Sequence, residues 1–406
     1  MAIYQIVLRI GWIFITESII MPAFMDLVGG AAWQRGCLPM LSRLGRSVVP
    51  LLFSDQIRNV PRKRDGLCLT SIAMGCCFLV LAGLWWVSAG QRTAWWPVCF
   101  LGLYALFFTA TGVNQVLFST LTGKLIVENQ RGRLSAVGSL IGGLSAIVFA
   151  LIWLRPWLLS PAGAYPRFDL IFGFTGILFV ASGITALRFI ENSDDFKLPL
   201  RSRLEILHAS AKIVTEDHNF RLLAAAAVMF GMSMTLFPHY QSIARERLGV
   251  GFSNLDGLLS WIIAQHVGAS VLSVPAGGIA DRYGNRLVLQ ILMGAVCIAP
   301  VLVLILHAGE IQWQFPYLVV FFLLGLTPIT FRFFNNYVLE TAEGTNHPAY
   351  LSTLSVCFAV PIITCSTLVG LFMDVIGLRT IFIAVLVLLL VGWAVTFRLQ
   401  EPRHGK

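Results

Sequence analysis

The stretch GGIADRYGNR, Gly277–Arg286, places three glycines, one aspartate and two arginines between apolar runs at 256–280 and 286–307. In helical form about twenty apolar residues cross a hydrocarbon core of about 30 Å, and each run is long enough. The stretch therefore reads as a short polar turn joining two membrane helices. Gly284 is expected to make the tight turn and Gly277 to let a neighbouring helix approach closely. Asp281 can lie near a helix N-terminus, where the macrodipole favours an anion, and Arg282 and Arg286 can pair with acidic groups or lipid phosphates.

Working outward, the rest of the chain repeats this pattern. Of 406 residues, 57% are hydrophobic and only 12% charged, about half the charge that a soluble surface carries. The net charge of +9 does not point to nucleic acid, because the basic residues sit in short clusters between apolar runs and not on a polar, basic face. The eight cysteines lie in or beside apolar segments without CxxC spacing, as reduced packing residues. No metal and no cofactor is implied. Glu17 interrupts the apolar run that follows Arg9, so this segment reads as a retained first span and not as a cleaved signal.

Twelve segments have spanning length: 4–27, 36–56, 67–89, 95–118, 133–155, 169–190, 219–242, 256–280, 286–307, 314–337, 349–373 and 378–398. The expected fold is all-α, with twelve transmembrane helices in two pseudo-symmetric six-helix bundles, 1–190 and 219–406, joined by a cytoplasmic linker at 191–218. Lys and Arg fall mostly in alternate loops, which places both termini in the cytoplasm; most tryptophans then flank outer loops as an aromatic belt. In the linker, Leu204, Leu207, Ala211 and Val214 share one helical face, as an amphipathic helix on lipid headgroups requires.

Ionisable groups inside a span cost about 2.5–3.5 kcal/mol on insertion scales and so tend to pair. Glu17 and Arg46 lie at similar depths, about 18 and 15 Å from the inner ends of spans one and two, and are expected to form an ion pair. Arg43 is one turn further out and can also reach Asp26. Two readings stand: a proton site with an anion-binding guanidinium, or a self-neutralising structural pair. Gln265 and His266 lie near the middle of span eight, where the histidine serves either coupling or helix contact. Asn114 and Gln115 in span four are candidate cavity groups, which interhelical hydrogen bonds explain equally well. His239 is expected at the membrane interface.

GGIADRYGNR resembles the signature loop of the major facilitator superfamily, Gly-x-x-x-Asp-Arg-x-Gly-basic-basic. Gly277, Asp281, Arg282, Gly284 and Arg286 match, and Asn285 departs from the first basic position. The first-half counterpart, SDQIRNVPRKR at 54–64, keeps Asp55 and a basic run but not the glycines. KLIVENQRGRLS at 124–135 is similar to the family's R-G-R segment. The resemblance implies the twelve-helix fold, a latch role for Asp281 and Arg282 in closing the cytoplasmic side, and a bacterial inner-membrane location. Proton-coupled members often carry an arginine where this chain has Phe108, and the antiporters' Gly-Pro pair is missing from GSLIGGLSA at 138–146.

The function expected is secondary active transport of a small solute by alternating access, with an anionic or zwitterionic solute and proton coupling as the finer reading. A monomer in the lipid bilayer is expected, with no nucleic-acid partner. The alternatives are a multidrug or hydrophobic-solute exporter and a non-transporting sensor or scaffold on the same fold. The chain has neither a GxxxxGK[ST] loop nor an HExxH pattern, which argues against ATP hydrolysis and metallohydrolase chemistry.

Overall fold

The computed structural model describes residues 1–53, 56–57, 59–88, 93–126, 141–158, 166–193, 202–249, 256–342 and 347–401. Among them every regular element is helical. Four short helices come first: α1 (Ala2–Ile13), α2 (Ile20–Leu27), α3 (Ala32–Arg43) and α4 (Val49–Leu52), with a π-helical turn, Leu44–Val48, between the last two. Long helices follow: α5 (Lys63–Val87), α6 (Trp96–Leu125), α7 (Ile141–Leu158) and α8 (Phe168–Ala186). After α9 (Arg203–Glu216) come α10 (His218–Arg247), α11 (Asp256–Tyr283), α12 (Asn285–Ala308), α13 (Gln314–Thr341), α14 (His347–Ile376) and α15 (Leu378–Thr396).

Ten helices among the described residues are long and apolar enough to cross a membrane, and the chain is a multi-pass α-helical membrane protein. The expected first two spans are not continuous helices. Between α1 and α2 the polar run Thr16–Ser18 breaks the apolar sequence, and the Thr16 carbonyl collects the N–H groups of Ile19, Ile20 and Met21 at 3.2, 3.0 and 3.2 Å. The Thr16 hydroxyl donates back to the Ile13 carbonyl at 2.9 Å. In the second span, Pro39 and the π turn interrupt the regular ladder.

Packing sorts the chain into two compact units. Met1–Ala31 and Leu41–Ser202 supply most of the first, and Ala32–Met40, Arg203–Val250 and Ser260–Lys406 most of the second. In the first unit Phe24 packs among Trp85, Phe100, Phe168 and Phe172, with ring centroids 4.8–5.2 Å away. In the second, Phe230, Phe331, Phe334 and Phe358 form a comparable aromatic core. These rings bury large apolar areas, most of the pairs in edge-to-face geometry and Phe24–Phe168 and Phe230–Phe334 tilted.

Carboxylates fasten helix starts in both units. Glu191 has a fully buried side chain that accepts the N–H groups of Lys63 and Arg64 at 3.1 and 2.8 Å and the Lys124 ammonium at 3.0 Å. It thereby caps α5 and ties it to the end of α6. Glu191→Ala should destabilise the protein by about 2 kcal/mol, because it removes a cap and strands a cation, with Glu191→Gln intermediate. SDS-unfolding titration of the two purified variants checks this. Asp217 plays the corresponding part in the second unit, accepting from the Phe220 N–H at 2.8 Å and the Tyr350 hydroxyl at 3.0 Å.

The expected amphipathic helix is present as α9. Leu204 and Leu207 of its apolar stripe are exposed. The turn between α11 and α12 also forms where the sequence places it. Gly284 has φ +90°, a conformation that strains any residue with a Cβ, and so separates the two helices cleanly.

Candidate functional site

The break after α1 and the π turn after α3 bring the first unit's charged side chains together. Arg46 Nη2 lies 2.8 Å from Glu17 Oε1, so the pair expected from depth alone is made. The side chains remain 25% and 26% exposed, which leaves both within reach of a small solute. The guanidinium sits 4.7 Å from the ring centroids of both Trp12 and Phe108, so two aromatic faces hold it in addition to the carboxylate. Phe108 occupies the place where the resemblance leads one to expect an arginine; its ring instead carries the Arg46 cation.

A close helix crossing sets this geometry. A Cβ on Gly112 would come within 2.1 Å of the Gly45 carbonyl oxygen, and one on Gly45 within 2.4 Å of the Phe108 carbonyl carbon. Only a residue without a side chain fits at either place. Gly45 belongs to the π turn, whose extra residue shifts Arg46 in phase relative to a continuous α-helix. Arg43, in the last turn of α3, lies in the electrostatic field of Glu17, Arg46 and Tyr104. Tyr104 is 2% exposed, and its ring meets Phe108 edge-on at 4.7 Å.

The remaining candidates divide. Asn114 is buried in a network that joins three helices: it accepts from the Tyr4 hydroxyl at 2.8 Å and donates to the Thr70 and Ser71 hydroxyls, each at 2.9 Å. Those contacts commit it to holding α1, α5 and α6 together, the interhelical alternative that its sequence left open. Gln115, next along α6, is exposed. Gln265 and His266 are half-buried on α11.

In the signature stretch, Arg286 Nη2 donates to the Phe397 carbonyl at 2.9 Å, past the end of α15. Nearby, Gln290 and Trp393 tie α12 to α15 through the Thr396 and Gln290 carbonyls. Arg286 thus satisfies a terminal carbonyl within its own unit, where a cation is favoured. Asp281 and Arg282 are exposed at the end of α11. The close helix approach expected at Gly277 is not made among the described residues, since outside its own turn of helix no heavy atom of theirs lies within 4 Å of a Cβ built there. Asp55 lies outside the described residues.

Sequence reasoning missed Trp12 and Tyr104 as neighbours of the ion pair. Tyr104, Phe108 and Gly112 recur at a spacing of four on α6, a face that periodicity alone could have singled out. His239 is only 1% exposed and lies inside the second unit. The regular ladder of α10 is interrupted at Leu236, ahead of Pro238, and resumes at Phe237.

Residues 221–406 match the family described as the Major Facilitator Superfamily. The nucleoside transporter NupG superposes with a TM-score of 0.74 at 10% identity over 98% of each chain. A bacterial homolog of the human lysosomal transporter Spinster, in an inward-facing conformation, gives 0.61 at 12% identity over 98% of this chain and 96% of its own. The E. coli fucose:proton symporter FucP gives 0.58 at 13% identity over 98% and 97%. No curated protein sequence matches significantly.

Proposed function

We propose that this chain, which has the fold of major facilitator superfamily transport proteins and not that of an enzyme, is a secondary active transporter that moves a small solute by alternating access. In this reading the interrupted α1–α2 and α3–α4 segments complete twelve crossings, in two six-helix bundles around the linker at 191–218, seated in a bacterial inner membrane. Asp281 and Arg282 latch the cytoplasmic side.

The observation that carries the reading is the Glu17–Arg46 pair, one-quarter exposed and held between aromatic rings at two helix irregularities. A pair so placed is expensive in a membrane, and a solute can exchange with either partner. A carboxylate-bearing solute, anionic or zwitterionic, competes with Glu17 for the guanidinium, whose planar fork suits two oxygens. Protonation of Glu17 frees Arg46 for that competitor, which couples proton to solute.

The test is uptake into proteoliposomes with and without an imposed pH gradient. Wild-type uptake of a carboxylate-bearing solute should rise with the gradient. Glu17→Gln should remove that dependence while leaving counterflow exchange measurable. An unchanged gradient response in Glu17→Gln refutes the proton role.

A further inference from the structure

Where α10 and α12 end, within the second unit, an arginine and a histidine meet. Arg247 is the last residue of α10 and His307 the last but one of α12. Arg247 Nη2 lies 2.8 Å from His307 Nδ1 and 3.4 Å from Nε2. Both side chains are half-buried, so the contact stays within reach of water. A guanidinium has donors only and keeps its proton. Nδ1 must therefore offer a lone pair, and the contact exists only with a neutral imidazole. A protonated ring has no acceptor left and sets a second positive charge beside the first.

The turn after His307 carries a strained residue. α12 ends in a Schellman motif, in which the Ile311 N–H donates to the Leu306 carbonyl at 3.2 Å and the Glu310 N–H to the His307 carbonyl at 3.4 Å. The motif puts one residue in the left-handed region, where glycine is the usual choice, and here that residue is Glu310 with φ +50°. No other non-glycine among the described residues has a positive φ. Strain kept at one position points to a use for its side chain. The Glu310 charge acts on the His307 ring, as do those of Arg247 and Glu246 from α10. From α13, Tyr317 is engaged with the same turn, its hydroxyl donating to the Ile311 carbonyl at 3.2 Å.

We propose that His307 is a pH-dependent switch with two partners. Neutral, it accepts from Arg247 and ties the end of α10 to the end of α12. Protonated, it releases Arg247 and turns to Glu310, whose carboxylate accepts from the imidazolium. The tie is complete above the ordinary histidine range, about pH 6.5, and is lost as the pH falls through and below it. By the distribution of Lys and Arg both ends lie on the outer side, so external acid is what loosens them. The switch needs no solute and stands apart from the proposed transport.

Hydrogen exchange read by mass spectrometry on the purified full-length protein tests it, with rates corrected for the intrinsic effect of pH. On going from about pH 7.5 to about pH 5.5, exchange at residues 244–249 and 305–311 should rise at least about fivefold in the wild type. In His307→Gln the amide oxygen still accepts from Arg247 and does not titrate, so exchange should stay slow at both pH values. Arg247→Met removes the donor and should exchange fast at both. Glu310→Gly keeps the turn, since glycine suits its φ, and should move the transition to lower pH by about 0.5 unit, because the imidazolium loses its carboxylate.

The switch is overturned if the wild type shows no acid-dependent rise at these ends, if the rise persists in His307→Gln, or if Arg247→Met exchanges as slowly as the wild type at neutral pH. An unmoved transition in Glu310→Gly overturns the second partner. Exchange is measured without solute, so failure of uptake in proteoliposomes counts against transport alone, and failure of the exchange test against the switch alone.

Discussion

Arg46→Ala should lower uptake by at least about 100-fold and also destabilise the protein, and the two effects have separable causes. Removing the guanidinium deletes the partner of Glu17 at 2.8 Å and the cation on the faces of Trp12 and Phe108. A carboxylate left alone in a span is costly, and each cation–π contact contributes about 0.5–2 kcal/mol. Because the pair is one-quarter exposed, solvent recovers part of the loss, and a net destabilisation of about 2 kcal/mol is expected.

The double variant Glu17→Gln with Arg46→Gln separates structure from function. If the pair only neutralises itself, removing both charges restores stability and uptake together. On the transporter reading, stability returns while uptake stays at least about 10-fold down, since a neutral amide holds a solute carboxylate more weakly than a guanidinium does by about 1.4 kcal/mol or more. Uptake in proteoliposomes, with SDS titration of the same preparations, supplies both readings. Recovery of uptake in the double variant sinks the functional assignment.

The second large effect is expected at Gly112. Its substitution by Leu should prevent assembly of the first unit, seen as loss of monodisperse protein on size-exclusion chromatography. The added Cβ alone would meet the Gly45 carbonyl oxygen at 2.1 Å and Pro50 Cγ at 2.8 Å. The first of these is backbone in the π turn, so relief requires moving the segment that positions Arg46. Overpacking of this kind costs about 1–3 kcal/mol where side chains can yield, and more where backbone must. Gly102 lies on the same helix with nothing within 4 Å of a built Cβ. Gly102→Leu should therefore be neutral, and equal damage from both variants would show that α6 tolerates no bulk anywhere.

How far the site was legible follows from which physical signal each residue carries. Glu17 and Arg46 could be matched because depth in a span is linear in sequence number, and two opposite charges at one depth seek each other. Which helical face each presents was not legible, because it depends on a break at Thr16 and a π turn at 44–48 that a regular helix would not contain. Asn114 illustrates the converse. Its polarity marked it as a candidate for a cavity, but Tyr4, Thr70 and Ser71 reach it from two other helices, and only their convergence makes it a clasp. His239 was placed near an outer end by counting residues along α10, but that it is only 1% exposed depends on neighbours in the second unit that the count does not contain.

The signature stretch shows the same division. Its polar residues between two apolar runs determined a turn at Gly284, and the positive φ there is a local property that glycine alone supplies without strain. The apolar runs themselves determined an all-helical, multi-pass protein, because in lipid each backbone polar group must bond within its own helix. What tertiary structure decided was the use of the remaining parts: Arg286 turned back to the Phe397 carbonyl, Gly277 left without a close neighbour among the described residues, and Gly45 and Gly112 made the tight crossing instead. Such choices depend on the distance between helices, set by all the side chains packed between them, and no local stretch of sequence contains that distance.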